Sequence, residues 1–350
     1  MERDRNIDLV KGLLIILVVL GHGLQFGFGK VYEESELFFD DYLFRAIYTF
    51  HMPLFMFISG FLFFHSNKKK YLIVIRTKLR SIGIPWLAYS SIINVLTYWF
   101  CRMDAFYFYN LIISIRNTMW FLSSLLLNCL VVASVTHLFR DNCISHWRLA
   151  ILVLLSFLIP DSIIPSTHLC MFFFFTLGYF CCQKKLILHH FLANKYVMLA
   201  LSCIFVFSLF FFKKKLTIYY GGICIITDKG FDLEIIAIDV LRYLIGMTNG
   251  LWFLGISQLL SKHCKLKYNE TIMDLGRMTL AIYGFQCIAY VIITECLKYY
   301  KVNITHNYVT PIIMTLLVLL LCKYITKICK SNKYSSQLFL GIYYKQSSKT

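Results

Sequence analysis

Two histidines lie within apolar stretches near the start of the chain, where each could accept a proton. His22 interrupts the run LVKGLLIILVVLGHGLQF at residues 9–26, and His51 lies in YTFHMPLFMFISGF at residues 48–61. Ionisable side chains inside apolar segments usually have a functional role, and the imidazole of histidine changes its charge near neutral pH. We therefore predict that His22 is a catalytic base. The alternative is a histidine that only bonds a carbonyl of a neighbouring helix.

A polar stripe precedes His22 on the same helix face. Lys11 lies eleven residues before His22, which is three helical turns and about 16 Å along the axis. Asp8 lies one turn before Lys11 on nearly the same face. The spacing predicts a path from one membrane surface to His22. In the alternative, Lys11 only extends towards the lipid headgroups.

Further polar residues are predicted to lie in the same half of the bilayer as His22 and His51, with Arg45 about 9 Å nearer the outer surface than His51 and Gln286 nearer the bilayer centre. They are Arg45, Asp239, Arg242 and Gln286. Asp239 and Arg242 are three residues apart and can form an ion pair on one helix face, which would also suit a purely structural role. Pro53 cannot donate a backbone hydrogen bond, so we expect a helix kink beside His51. Together these residues indicate a polar pocket in one half of the bundle.

A basic cluster lies in NKKKYLIVIRTKLRSIGIPW at residues 67–86, which holds six basic residues and no acidic one. Arg76, Lys78 and Arg80 directly precede the next apolar segment. Guanidinium groups match phosphate oxygens in geometry, and lysine adds positive charge, so the cluster suits a polyphosphate ligand. The alternative is that it only marks the cytoplasmic side of a membrane protein.

The elements that position these residues are predicted to be membrane-spanning helices. The 350 residues are 59% hydrophobic and 15% charged, and their mean hydropathy is +0.67. Apolar runs of about twenty residues, each long enough to cross a bilayer, recur along the chain. The spans are placed near 9–28, 43–65, 82–101, 118–139, 147–164, 167–182, 195–212, 235–261, 273–297 and 307–328. This predicts an all-α, polytopic bundle of about ten helices in a lipid bilayer.

The distribution of basic residues predicts that both termini are cytoplasmic. With that orientation, 23 of the 35 lysines and arginines lie on the cytoplasmic side and 9 on the other side. Lys213–Lys215 is the one cluster that opposes the rule. The net charge of +17 is explained in this way and does not indicate nucleic acid. We predict one membrane domain at residues 1–330 and a basic cytoplasmic tail at residues 331–350.

The thirteen cysteines predict neither a disulfide framework nor a metal site. They are scattered, several lie inside apolar runs, and none forms a CxxC pair. Such cysteines usually serve as small buried apolar residues. No cluster of histidine, cysteine and aspartate has the spacing of metal ligands.

Six segments resemble the acyltransferase family 3 membrane proteins, especially fucose 4-O-acetylase-like proteins and bacterial polysaccharide O-acetyltransferases. They occur in the family's order, over about 280 residues. They are RNIDLVKGLLIILVVLGH (5–22), FHMPLFMFISGFLF (50–63), RTKLRSIGIPWLAY (76–89), WFLSSLL (120–126), FFFFTLGYF (172–180) and LGRMTLAIYGFQ (275–286). The chain departs from the family at Lys11, where arginine is usual, and at Gln286, where many members have histidine.

The resemblance implies an O-acetyltransferase of the bacterial inner membrane. Acetyl-CoA would be the donor, bound by Lys11, Arg76, Lys78 and Arg80, and the acceptor would be a sugar hydroxyl of a cell-surface or lipid-linked glycan. His22 would be the essential residue, as base or as acyl acceptor. His51 or Arg242 would stabilise the oxyanion, and Arg45, Asp239 and Gln286 would contact the substrate. One alternative function is a transporter in which these residues form a proton or substrate relay. A second is a non-catalytic membrane partner of a glycan-assembly complex.

Overall fold

The computed structural model describes residues 4–28, 36–101, 114–115, 117–138, 142–159, 163–217, 226–227, 230–231, 233–263, 266–302, 304 and 306–343. Within these ranges the regular secondary structure is helical, apart from one antiparallel pairing of two short strands, Ile226–Thr227 and Gly230–Phe231. The fold is therefore the all-α helix bundle that the apolar runs predict.

Sixteen α-helices are described, numbered here in chain order. They are α1 (Arg5–Phe26), α2 (Glu36–Asp40), α3 (Tyr42–Tyr48), α4 (His51–Ser66), α5 (Tyr71–Lys78), α6 (Ile84–Cys101), α7 (Trp120–Leu138), α8 (Asn142–Ser156), α9 (Ser166–Cys181), α10 (Lys185–Ala193), α11 (Lys195–Phe211), α12 (Leu233–His263), α13 (Leu266–Arg277), α14 (Thr279–Tyr299), α15 (Val309–Ser331) and α16 (Lys333–Leu340). A π-helical turn, Leu79–Gly83, joins α5 to α6.

Seven helical segments of the described chain are long and apolar enough to cross a membrane. They are Arg5–Phe26, Tyr42–Ser66, Trp120–Leu138, Thr167–Ala193, Leu233–Ser261, Thr279–Tyr299 and Val309–Ser331. Two shorter apolar helices, His146–Ser156 and Lys195–Phe211, and the 18-residue α6 occupy the other three predicted spans. The chain is thus an integral membrane protein, and a total of ten crossings stays a prediction.

One helix boundary differs from the expected one. The predicted span 273–297 is divided at Met278, because α13 is an amphipathic helix that ends at Arg277 and packs along the first half of α1. Within the predicted tail, Lys333–Leu340 forms α16, which packs against α6 and has Ser336 fully buried. Residues 344–350 of that tail lie outside the described residues, as do 160–162 of the predicted span 147–164.

Helix α1 lies at the centre of the bundle. The Asp4 side chain accepts hydrogen bonds from the backbone N–H groups of Asn6 and Ile7, at 3.1 and 3.4 Å, and so begins the helix. The helix then packs against α3, α4, α12, α13, α14 and α15. Because other helices surround α1, its polar side chains face protein or a cavity more often than lipid.

Helix ends meet at two faces of the bundle. At the face where α1 begins, Lys185 Nζ lies 2.6 Å from Asp4 Oδ2, and His65 Nε2 lies 3.3 Å from Cys182 Sγ. We call this the N-terminal face. The opposite face, called the far face, includes α2, α3 and the end of α14. The direction in which these faces point in a cell stays a prediction.

Helices α4 and α9 approach each other most closely at two glycines. A Cβ on Gly60 would lie 1.9 Å from the Phe175 carbonyl oxygen, and a Cβ on Gly178 would lie 1.9 Å from the Phe57 carbonyl oxygen. Real contacts are never so short, so only glycine allows these backbones to touch. The contact places His51 and Pro53 of α4 relative to the rest of the bundle.

Replacing Gly178 by alanine is expected to destabilise the fold by about 3 kcal/mol or more, since the two backbones must separate. The thermal stability of the detergent-solubilised protein should fall clearly. Gly250→Ala is the matched control, because a Cβ there would lie 3.7 Å from Leu54, an ordinary contact distance. Equal stability of the two variants would contradict the close approach of α4 and α9.

Candidate active site

His22 forms a direct hydrogen bond with Gln286 of α14. The His22 Nδ1 and Gln286 Oε1 atoms are 2.8 Å apart, and Gln286 is fully buried. The two residues are separated by 264 positions in the chain and meet because α14 packs along α1. Two of the predicted site residues are therefore brought together.

The hydrogen bonds of Gln286 determine which nitrogen of His22 carries the proton. The Gln286 amide nitrogen donates to the Tyr283 carbonyl at 3.3 Å, which turns the amide oxygen towards His22. An amide oxygen can only accept, so Nδ1 of His22 donates to it. In the neutral ring this leaves Nε2 with its lone pair, able to accept a proton.

His22 lines a cavity of about 440 Å³ in the half of the bundle next to the far face. This volume is within the range of small-molecule binding sites. Eight aromatic residues line the cavity, namely Phe26, Phe38, Phe39, Phe44, Tyr48, Trp120, Tyr283 and Tyr290. The polar lining residues are Gln25, Thr97, Thr118, Thr217, Thr294, Glu295 and Lys298. We call this space the histidine cavity.

Tyr290 supports the wall beside His22. Its hydroxyl donates to the Val19 carbonyl at 2.9 Å, and its ring centroid lies 6.3 Å from that of His22. Phe26 contacts the imidazole from one turn further along α1, with ring centroids 5.7 Å apart. The imidazole is thus held between aromatic rings and one amide.

Lys11 lines a second cavity, of about 100 Å³, on the side of the N-terminal face. Its walls are mostly apolar, with Ser59 and Thr279 as further polar residues. Tyr283 lines both this cavity and the histidine cavity, and its ring lies 5.7 Å from that of Phe121. Tyr283 is therefore shared by two cavities that lie along the predicted path from Lys11 to His22, and that path stays a prediction.

The helix is interrupted beside His51, as Pro53 predicts. Helix α3 ends at Tyr48 and α4 begins at His51, and the His51 Nδ1 donates to the Ile47 carbonyl at 2.8 Å. The imidazole contacts the Tyr48 ring edge to face, with centroids 4.7 Å apart. His51 lines a small cavity of about 20 Å³ that is adjacent to the histidine cavity. Tyr48 and Thr217 line both spaces.

Arg242 lines the small cavity together with His51 and does not line the histidine cavity. It forms the expected ion pair with Asp239, at 2.7 Å, and both side chains are buried. Its other two nitrogens donate to the carbonyls of Leu216 and Lys215, at 3.1 and 3.0 Å. These bonds fix the turn that follows α11, so the contacts of Arg242 are structural.

Arg45 connects elements at the far face. Its guanidinium donates to the carbonyls of Phe39 and Leu209, at 3.0 and 3.2 Å, and pairs with Asp40. Neither Arg45 nor Asp239 is among the residues that line the histidine cavity. Of the three predicted substrate contacts, Gln286 alone touches His22, and it does so as a hydrogen-bond partner.

The predicted basic cluster lies at the N-terminal face, on α5 and the π-helical turn. Arg76 and Arg80 are exposed, and Lys78 is half-buried with its ammonium 5.1 Å from the Phe63 ring centroid. The Arg80 guanidinium lies 5.5 Å from the ring centroid of Tyr343, beyond α16. The three cations share one short segment that faces the solvent at this end of the bundle.

Several lining residues were not predicted from the sequence. Tyr283, Gln286 and Tyr290 recur at intervals of three and four in TLAIYGFQCIAY, which places them on one helix face. That spacing is the signal that could have identified the two tyrosines. Across the described residues, no group of three His, Cys, Asp or Glu side chains could hold a metal ion.

Comparisons with known proteins identify the family to which the chain belongs. The family described as acyltransferase domain matches residues 4–327. Nodulation protein NolL of Sinorhizobium fredii is 33% identical over 201 residues, covering 52% of this chain and 50% of that protein. Nodulation protein NolL of Mesorhizobium japonicum is 48% identical over 61 residues, covering 17% of this chain and 16% of that protein.

The chain thus matches about half the length of the first of these relatives, and no solved structure matches it. The family match extends over nearly the whole chain and includes the histidine cavity and the basic cluster. It favours an enzyme that transfers acyl groups over the transporter alternative. The protein is an integral membrane member of this acyltransferase family.

Proposed function

We propose that the protein transfers an acetyl group from acetyl-CoA to a sugar hydroxyl of a cell-surface or lipid-linked glycan at the bacterial inner membrane. The observation that carries this proposal is the geometry of His22. Its Nδ1 is bound to Gln286, its Nε2 is left as a base, and the ring borders a cavity of about 440 Å³. Acyltransferase family membership supports the reaction class.

The proposed orientation in the membrane rests on the distribution of basic residues. The N-terminal face holds Arg76, Lys78, Arg80 and the starts of α1 and α10, and basic residues are enriched on the cytoplasmic side of membrane proteins. We therefore place this face in the cytoplasm, where acetyl-CoA is made. The far face and the histidine cavity are then directed to the outside.

Acetyl-CoA would bind with its phosphates on the basic cluster. Arg80 and Arg76 offer forked donors to phosphate oxygens, and Lys78 adds a positive charge. The thin pantetheine arm would occupy the mostly apolar cavity beside Lys11. The thioester would then reach His22 once the side chain of Tyr283, which lies between the two cavities, moves aside.

The acceptor would occupy the histidine cavity from the far face. The apolar C–H faces of a sugar ring pack well on aromatic side chains, of which this cavity has eight. The hydroxyls would bond to Thr294, Glu295 and other polar residues of its wall. Lys298, which pairs with Glu295 at 2.5 Å, lies at the end of α14 nearest the outside.

In the reaction, Nε2 of His22 removes the proton of the sugar hydroxyl as its oxygen attacks the thioester carbonyl carbon. The carbon–sulfur bond then breaks, the acetyl group stays on the sugar oxygen, and the proton passes to the leaving CoA sulfur. Alternatively, Nε2 of His22 attacks the thioester carbonyl carbon and CoA leaves as its thiolate. The sugar hydroxyl then attacks this acetyl group, the bond from Nε2 to the acetyl carbon breaks, and the hydroxyl proton passes to the thiolate. Both routes need the same nitrogen with a free lone pair.

Acetyl-labelled CoA tests the proposed function directly. Membranes that contain the protein are incubated with the labelled donor, and the glycan fraction is isolated. Label should appear on glycan as base-labile O-acetyl groups and should be absent with membranes that lack the protein. A transporter would move no label onto glycan, and such a result would refute the proposed transfer.

The donor site makes a separate prediction. Arg80→Ala should raise the apparent KM for acetyl-CoA about tenfold, because one charge-assisted phosphate contact is lost, with little effect on kcat. Lys327→Ala is the matched control, since it removes an exposed cation of α15 elsewhere on the protein. An unchanged KM for the Arg80 variant would exclude Arg80 from the donor site.

A further inference from the structure

The chain beyond α15 folds back onto the turn that carries Arg80. Asn332 caps the start of helix α16, because its side chain accepts from the backbone N–H groups of Tyr334 and Ser335, at 2.8 and 3.4 Å. Near its end, the Phe339 carbonyl accepts a hydrogen bond from the Tyr89 hydroxyl at 3.2 Å. The Phe339 ring packs against those of Tyr89 and Phe285, with centroids 5.5 Å away in each case.

Gly341 ends the helix against the π-helical turn. Its φ of 63° lies in the left-handed region, which glycine adopts without strain. A Cβ at this position would lie 2.3 Å from the Ser81 carbonyl oxygen, so only glycine allows the chain to pass so close. The close passage brings the next residues, Ile342 and Tyr343, beside Arg80.

Tyr343 contacts Arg80 in two ways. Its hydroxyl donates to the Arg80 carbonyl oxygen at 3.2 Å, and the Arg80 guanidinium carbon lies 5.5 Å from its ring centroid. A guanidinium at this distance from an aromatic ring is attracted to its face. Burial raises the pKa of the Tyr343 phenol, so its hydroxyl stays protonated and continues to donate near neutral pH.

We propose that Tyr343 is a positioning residue of the donor site, which holds the Arg80 guanidinium in place for the phosphates of acetyl-CoA. This inference rests on the proposed role of Arg80 in donor binding. Arg80 is exposed, and a free arginine side chain loses considerable rotamer entropy when it binds a phosphate. An aromatic ring that already holds the guanidinium reduces this loss. The C-terminal segment thereby becomes part of the donor site.

The test measures binding of two donors to the purified full chain in lipid nanodiscs. Acetyl-CoA carries the nucleotide phosphates, and S-acetyl-pantetheine carries the same thioester without them. Tyr343→Ala should raise the Kd for acetyl-CoA about threefold to fivefold and leave that for S-acetyl-pantetheine unchanged. A general loss of structure would weaken both donors, and that outcome would overturn the proposal.

Further variants separate the ring from the hydroxyl. Tyr343→Phe should restore most of the acetyl-CoA affinity, because the ring face remains, whereas Tyr343→Leu should resemble Tyr343→Ala. Tyr334→Ala, at a residue of α16 that is 80% exposed, should bind both donors like the wild type. A Phe variant as weak as the Leu variant would overturn the role of the ring, even if the Ala variant failed to fold.

Combining Tyr343→Ala with Arg80→Ala separates the positioning role of Tyr343 from the proposed role of Arg80 in donor binding. In that background, Tyr343→Ala should cause no further loss of acetyl-CoA affinity. A further loss of the same size would show that Tyr343 acts without Arg80. If Arg80→Ala alone weakens acetyl-CoA and Tyr343→Ala does not, the positioning role fails and the donor site stands. If Arg80→Ala has no effect, the donor site itself is wrong.

Discussion

His22→Ala is expected to lower the rate of acyl transfer by at least about 100-fold, because proton removal from the acceptor hydroxyl loses its base. The cavity of about 440 Å³ would remain, since its other lining residues are unchanged. Binding of acetyl-CoA at the N-terminal face should also remain, because the basic cluster lies far from His22 on the opposite side of the bundle. The loss should therefore appear in kcat and leave the KM for acetyl-CoA nearly unchanged.

The measurement is transfer of labelled acetyl groups by membranes that contain equal amounts of each variant. His189→Ala is the matched control, since it removes an exposed imidazole of α10. That variant should transfer label at the wild-type rate. A His22 variant that inserts normally and keeps near wild-type activity would eliminate both the base route and the acyl-histidine route.

The positions of the main helices and of His22 within α1 were predictable from the sequence. Apolar runs of about twenty residues identify membrane helices because backbone polar groups must bond within the segment in lipid. An imidazole inside such a run was a sufficient reason to single out His22. Likewise, the three-residue spacing of Asp239 and Arg242 predicted their ion pair, which the structure shows at 2.7 Å.

The partners of the predicted residues were not predictable from a single sequence. Gln286 was predicted to contact substrate, and the structure adds a hydrogen bond to His22, 264 positions away in the chain, that the sequence did not predict. Helical periodicity tells which face of a helix is polar, but it does not tell which other helix that face meets. For the same reason Arg242 could not be assigned to the turn at Lys215 and Leu216, whose carbonyls it binds.

The division of the predicted span 273–297 has a local cause. Helix α13 carries charged and polar residues on one face. In its last residue, Arg277, the Nε atom lies 3.6 Å from Oδ2 of the buried Asp8 of α1. An ion pair at that depth fixes the end of α13 beside α1. Asp8 was predicted to belong to a polar path, and its contact with Arg277 indicates that it also anchors α13.

Gln286→Leu is expected to lower kcat about 10- to 100-fold, the second-largest loss we predict. Leucine has nearly the same size and cannot accept a hydrogen bond, so Nδ1 of His22 loses the partner that holds its proton. The ring then distributes between two tautomers and can rotate, and Nε2 is no longer always the basic nitrogen. Because Gln286 lies away from the basic cluster, the KM for acetyl-CoA should stay unchanged.

Steady-state transfer of labelled acetyl groups gives both constants, and Cys287→Ala provides the matched control. Cys287 also lines the histidine cavity, and its Sγ accepts from the Gln286 amide nitrogen at 3.1 Å. Its removal leaves the bond of that nitrogen to the Tyr283 carbonyl and the bond between Gln286 and His22 in place. The control should retain most of the wild-type kcat. Should Gln286→Leu retain it as well, the tautomer of His22 would not depend on Gln286. The base role of His22 would then rest on the His22 variant alone. A fall in kcat for Gln286→Leu but not for Cys287→Ala would instead assign the loss to one hydrogen bond, because the two variants alter neighbouring residues of the same helix.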